Sequence, residues 1–193
     1  MRLCYTLGVG ACYSAILYIC QIFPFLYSFM SRRSSYRILF VCLGNICRSP
    51  AAEIIVRAEL ERAGLLPYVQ VDSCGTASYH IGSRPDSRML AALERAGYTY
   101  GGHRARCFRR ADFTDFDLII PQDHSNEEDI LSLARHADDA AKVQGMWHWF
   151  AADEAEHDVP DPYYGGPAGF DAVVALLSRA AVRLVEFVRL QLQ

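Results

Sequence analysis

The chain of 193 residues has room for one ordinary domain and an extension. A formal net charge of −3 and a sequence pI near 6.1 leave no basic footprint for nucleic acid. Seven cysteines, an odd number without framework spacing, exclude a secreted disulfide scaffold and suit a reducing compartment.

Residues 1–33 differ in character from the rest. No charged side chain lies between Arg2 and Arg32, and Leu3 to Met30 is rich in Leu, Ile, Tyr, Phe and Cys. That run exceeds the roughly 20 apolar residues that span a bilayer. Three readings stand open: a membrane anchor, a start codon placed too far upstream, and a secretory signal peptide. The last fits least, because no small-x-small cleavage site ends the run. Should the segment insert, Arg32, Arg33 and Arg37 outnumber Arg2 and leave the following domain cytosolic, tethered to the inner membrane face. The expected division is an apolar extension over 1–33 and a catalytic domain over 34–193.

Arg37-Ile38-Leu39-Phe40-Val41 reads as a buried strand. Pro50 to Leu60 reads as a helix with proline in its first turn. Between them lies Cys42-Leu43-Gly44-Asn45-Ile46-Cys47-Arg48-Ser49, a short loop leading into a helix N-terminus. Backbone N–H groups and the helix dipole make such a loop an anion site. Here it carries a Cys-x5-Arg pattern. A thiol in that field is expected to ionise easily, since such sites pull a cysteine pKa from about 8.5 to roughly 3.5–7.5. Arg48 offers a planar fork for two phosphoryl oxygens. Gly44 and Asn45 both tolerate a left-handed backbone, and Ser49 can donate to the Cys42 sulfur. Nucleophile and oxyanion clamp in one loop point to attack on phosphorus.

Further along, Tyr68 to Ser73 reads as a second strand closed by a turn at Cys74-Gly75-Thr76. Arg84 to Gly97 is a predicted helix with an apolar stripe at Met89, Leu90, Ala92 and Leu93. Phe116 to Ile120 is a third strand, Ser125 to Ala134 a helix, and Gly169 to Leu192 a long amphipathic helix opened by Asp171. Alternating β and α elements imply a single α/β domain with a central parallel sheet and helices on both faces. Ligands bind at the carboxyl ends of strands in such sheets, and Cys42 ends the first strand.

A thiolate that expels an alkoxide or phenoxide needs a proton donor facing the leaving group. Asp161 is the candidate, on a loop shaped by Pro160, Pro162, Gly165 and Gly166. The adjacent Tyr163 and Tyr164 suit a cleft for an aromatic ring. The six histidines show no metal-ligand spacing and read as surface or capping groups, so no metal and no cofactor are expected.

These residues resemble the low-molecular-weight protein tyrosine phosphatases. The likeness rests on Val41 to Pro50 with Asp161-Pro162-Tyr163-Tyr164 and extends over residues 36–193. It takes in Asp72-Ser73, Gly75-Thr76, Gly82, Pro85-Asp86, Gly102 to Arg106, Phe116-Asp117, Asp123 and Ser125-Asn126. The resemblance implies Cys42 as nucleophile, Arg48 as binder of phosphate and transition-state oxygens, and Asp161 as general acid and then base. It also implies loop and substrate contacts from Leu43, Gly44, Asn45, Ile46, Cys47, Ser49 and Ser73. Tyr79 and Tyr163 would be cleft walls, and Cys47 would pair reversibly with Cys42 under oxidation. The implied partners are tyrosine-phosphorylated proteins; oligomeric state is not implied either way.

Two departures stand out. Pro121-Gln122-Asp123 replaces a hydrophobic-Met-Asp run, which puts a polar side chain near the end of the third strand with an effect on local packing or on the cleft rim, and Cys74 replaces a small residue. Three rival readings are a protein-arginine phosphatase, a thiol-dependent arsenate reductase and a non-catalytic phosphate-binding module. Ile46 stands where the first carries a small Thr. The second needs closely spaced downstream thiols, whereas Cys74 and Cys107 lie far apart. The third would not need nucleophile, clamp and acid together.

Overall fold

The computed structural model describes residues 35–153 and 157–193; the apolar 3–30 run lies outside the described residues. The central strand β1, Tyr36–Cys42, explains the architecture best. Its Ile38, Leu39, Phe40 and Val41 are all wholly buried, so both faces of the strand must be covered. Strand β2, Val69–Gly75, and strand β3, Leu118–Pro121, flank it in the order β2-β1-β3, both parallel to it. Short parallel bridges, Gly75 to Cys107 and Ile119 to Val143, extend the pairing at either edge.

Side chains alternate between the faces with the period of two that a pleated strand imposes. Ile38 and Phe40 enter the larger core, with helix α1 (Arg48–Arg62), helix α2 (Ser87–Arg95) and the 25-residue α6 (Pro167–Gln191). Leu39 and Val41 enter a smaller core on the opposite face with Phe108, Phe113 and Ile130. That face is covered by the short α3 (Asp112–Asp115) and by α4 (His124–Leu131). A further short helix, α5 (Ala137–Ala140), and 3-10 turns at Leu66–Tyr68 and Met146–Trp149 complete the elements. The expected parallel sheet with helices on both faces is therefore present.

Element boundaries differ for local reasons. Helix α2 starts at Ser87, because Pro85 disfavours helical backbone at Arg84 and Asp86 caps the helix through the Arg88 amide at 2.8 Å. Helix α6 is opened by Gly166 and Pro167, not by Asp171. Proline at the first helical position costs no hydrogen bond and arrives with its φ already set. Asp171 sits one turn in, paired with Arg95 at 2.5 Å. Along α6, Phe170, Val173, Val174, Leu177, Ala181, Leu184 and Val188 form the buried stripe against α1 and α2.

Candidate active site

Strand β1 ends on Cys42, and α1 begins at Arg48. The turn between them takes its left-handed backbone at Asn45, with φ 54°, and not at Gly44. A Cβ at Gly44 would lie 3.0 Å from His80 Cδ2, so the imidazole would have to give way. The segment after β2 braces the loop from outside. Thr76 N–H donates to the Cys42 carbonyl and Ala77 N–H to the Leu43 carbonyl, both at 2.9 Å.

The Cys42 sulfur is almost fully buried at the floor of this loop. Asn45 N–H donates to it at 3.3 Å, and Ser49 Oγ lies 3.0 Å away. Ser49 Oγ also lies 3.1 Å from the Cys74 carbonyl. Its single proton can serve the sulfur or the carbonyl, but only one at a time. The side chain of Asn45 organises the surroundings: Nδ2 donates to Ser49 Oγ at 2.9 Å and to Ser73 Oγ at 3.0 Å. Its Oδ1 accepts from Arg106 N–H at 2.9 Å and faces His103 Nε2 at 3.1 Å. Behind it, Ser73 donates to Glu53 Oε2 at 2.8 Å, and His103 Nδ1 stands 3.2 Å from the same oxygen. Burial works against the Glu53 charge, yet hydrogen bonds from His103 and Ser73 outweigh it and hold the carboxyl below its ordinary value.

A second cysteine, Cys47, shares the loop. Burial pushes the Cys47 thiol up to about 12, with Asp86, Cys42 and Asp161 adding to the effect and Arg88 opposing it. Cys47 is a protonated thiol at neutral pH. Among the described residues Cys42, Cys47, Cys74 and Cys107 are all free.

Arg48 is 4% exposed and its guanidinium is fixed by three partners. Nη1 donates to Asp123 Oδ2 at 2.5 Å and to the Val159 carbonyl at 3.1 Å, while Nη2 donates to Asp161 Oδ2 at 3.1 Å. Burial lowers its proton affinity, but Cys42, Asp161 and Asp123 raise it further, so the side chain stays a cation. Asp123 does two jobs, since its Oδ1 also caps α4 through the Asn126 amide at 2.7 Å. Asp161 Oδ1 accepts from Tyr163 N–H at 3.0 Å, and the carboxyl is 43% exposed.

These groups meet in one cavity of about 210 Å³, lined among others by Cys42, Arg48, Asp161, Tyr79, His80 and Tyr163. Leu43, Gly44, Ile46 and Cys47 line it as well. Its rim carries Tyr79 edge-on to His80 with centroids 4.8 Å apart, and Tyr163 edge-on to Tyr164 at 5.0 Å. Asn45 in the loop, Ser49 at the start of α1 and Ser73 on β2 support it through their side chains without lining the cavity. The structure thus gathers Cys42, Arg48 and Asp161 with the expected loop and rim residues around one cavity.

Residues 37–193 match the family described as low molecular weight phosphotyrosine protein phosphatase. The chain belongs to that family. It is 41% identical over 160 residues to a low molecular weight protein-tyrosine-phosphatase of Streptomyces coelicolor, covering 82% of this chain and 97% of that one. It is 46% identical over 149 residues to a Synechocystis protein provisionally named as such a phosphatase, covering 77% and 94%. A protein tyrosine phosphatase of Entamoeba histolytica superposes with a TM-score of 0.77 at 35% identity, over 82% of this chain and 100% of its own. Members of the family are cysteine-dependent hydrolases, and Cys42 and Arg48 lie in the loop where that chemistry occurs.

Four details went unread in the sequence. Asp123, named only as a motif residue, is the closest partner of Arg48 from 75 positions away. His103, grouped with surface and capping histidines, is instead a nearly buried link between Glu53 and Asn45. Gln122 is wholly buried and does not reach the cleft rim. Finally, donor atoms of Glu53, Asp72 and His103 lie within 4.8 Å of one another, a grouping that could hold a metal ion. Each is already committed: Asp72 to Arg106 at 2.8 Å, Glu53 to Ser73, and His103 to Asn45.

Proposed function

We propose that residues 34–193 form the catalytic domain and hydrolyse phosphotyrosine in proteins through a phosphocysteine on Cys42. The Cys42 sulfur attacks phosphorus in line as the P–O bond to the tyrosyl oxygen breaks. Asp161 supplies the proton to that departing oxygen. Asp161, now a carboxylate, then takes a proton from water, whose oxygen attacks phosphorus, breaks the S–P bond and frees inorganic phosphate. Arg48 and the loop N–H groups face the charge that grows on the equatorial oxygens. Leu43, Gly44 and Ile46 shape the floor, while Tyr79 and Tyr163 flank the aromatic ring. Asn45, Ser49 and Ser73 keep the loop in register, and Cys47 is the thiol able to pair with Cys42 under oxidation.

The observation that carries this reading is the convergence of Cys42, Arg48 and Asp161 on one cavity walled by aromatic rings. Ile46 at the floor favours phosphotyrosine over phosphoarginine, which relatives with a small residue there accommodate. A free, buried nucleophilic thiol supports a cytosolic location. No chemistry falls to residues 1–33. Their apolar run supports a tether to the inner membrane face, which fractionation of the full chain would test; no described helix is long and apolar enough to cross a membrane.

The test is metal-free phosphate release from a phosphotyrosine peptide and a phosphoarginine peptide. Cys42→Ser should abolish turnover yet still bind phosphate. Asp161→Ala should slow release by about 10²- to 10⁴-fold. Substantial turnover by Cys42→Ser, or a preference for phosphoarginine, would contradict the proposal.

A further inference from the structure

The loop that carries Asp161 is anchored at three neighbouring points, and two of them lie outside the cavity. Val159 N–H donates to the Gln122 carbonyl at 2.8 Å, and the Val159 carbonyl accepts from Arg48. One residue earlier, Asp158 Oδ1 takes two donors from a single residue of α4. His124 N–H reaches it at 3.1 Å, and His124 Nδ1 lies 2.5 Å away. The imidazole is held in its plane by Trp147, stacked on it at 4.1 Å and 13°. His124 follows Asp123, the residue that caps α4 and grips Arg48. Clamp and acid are thus tied to the same helix start, on either side of the cavity wall.

We propose that His124 is a positioning residue for the phosphatase reaction. It holds Asp158, and through the three backbone links from Asp158 to Asp161 it fixes where the acid stands beside Arg48. Pro160 and Pro162 stiffen this stretch, so a displacement at Asp158 passes to Asp161 and is not absorbed between them. Neutral imidazole can donate from Nδ1 as imidazolium does, so the link does not require a charged histidine. Neither side chain lines the cavity, and both are about half exposed. A bare surface pair of this kind contributes little to stability. The stacked tryptophan and the double donation to one oxygen go beyond such a pair. This inference rests on Asp161 being the acid.

The test compares aryl phosphates whose leaving groups differ in pKa, because an acid matters most when the departing oxygen is basic. The full chain, His124→Ala, His124→Asn, Asp161→Ala and the His124→Ala/Asp161→Ala pair are measured together. His124→Ala should lower kcat/KM about three- to fivefold for tyrosine-like leaving groups, the kinetic scale of an exposed pair. It should leave strongly acidic leaving groups almost unchanged. His124→Asn, whose side-chain amide can donate near the Nδ1 position, should recover most of the loss. In the Asp161→Ala background, His124→Ala should have no further effect. Equal losses for all leaving groups, or a full loss in the Asp161→Ala background, would overturn the positioning role alone. If Asp161→Ala itself showed no dependence on the leaving group, the acid assignment would fail and this inference with it.

Discussion

Glu53 shows how a residue remote from the reacting atoms is drawn into the site. Its carboxylate is buried behind the loop, accepts from Ser73 and faces His103, and both of those groups touch Asn45. Burial alone would raise its pKa; the His103 and Ser73 hydrogen bonds prevail and lower it below the ordinary 4.5. The folded state therefore binds fewer protons here than the unfolded chain at mildly acidic pH. Its stabilisation is complete above the unfolded value and is lost as pH falls through the lowered folded one. Glu53→Gln should reduce stability at pH 7 by about 1–3 kcal/mol, the cost of a lost charged acceptor. It should also make the decline between neutral pH and about pH 3 shallower. Urea midpoints across that range read both effects, and an unchanged pH dependence would contradict them. The sequence marked Ser73 and Asn45 by resemblance but left Glu53 as one more acidic position on a helix. Nothing local in a chain announces that positions 53, 73 and 103 will meet; the sheet brings them together.

At the scale of elements, the strand–loop–helix unit was legible because every local signal agreed. The apolar run after Arg37 gave the strand, proline gave the first helical turn, and the loop between them was too short for anything but a tight turn. The support that the loop receives from β2 was not legible. Gly75 ends β2 directly against the loop, where a Cβ would lie 2.6 Å from the Leu43 carbonyl oxygen and 3.1 Å from Asn45 N. Both are backbone atoms, so the loop itself must move to accept a side chain. Its neighbours also pin it, since Gly75 N–H donates to Arg106 O and Phe108 N–H to Gly75 O, each at 2.8 Å. Gly75→Ala should cost about 1–3 kcal/mol as overpacking. It should lower kcat/KM by about 100-fold, the scale of a misplacement near 1 Å. Steady-state kinetics with a thermal melt would check this, and wild-type kinetics in the variant would show that the loop tolerates the shift. The helix limits were misread for the opposite reason. Asp171 has the chemistry of a cap, but Pro167 one turn earlier has the stronger geometric claim on the start of α6.

Across the whole molecule, the two cores divide the labour. The larger one packs α1, α2 and α6 against Ile38 and Phe40, while the smaller one holds α3 and α4 on the other face. Between sheet and acid loop sits Gln122, wholly buried; its Nε2 donates to the Ile120 carbonyl at 3.3 Å and its Oε1 meets no partner among the described residues. A buried acceptor without a donor is costly, and an apolar side chain of the same length removes that cost. Gln122→Met should stabilise the fold by about 1 kcal/mol with kcat/KM unchanged, because the backbone link from Val159 to Gln122 remains. A lower urea midpoint in the variant would mean that the glutamine is satisfied after all. That β1 is covered on both faces follows from its continuous apolar run, which the sequence carried in plain form, whereas the order β2-β1-β3 was not legible in it. The buried polar contacts across those faces depend on how distant segments meet, which no single segment encodes.

The central claim is that phosphate passes through Cys42. The most direct measurement is a rapid alkaline quench of Asp161→Ala with an aryl phosphate of strongly acidic leaving group, followed by proteolysis at alkaline pH and mass spectrometry of the loop peptide. Such a substrate needs no acid to form the intermediate but still needs the base to lose it. The account predicts one phosphoryl group on Cys42 and none on Cys47, whose thiol remains protonated with a pKa near 12. Phosphate on Cys47, or release of phosphate with neither cysteine labelled, would contradict it.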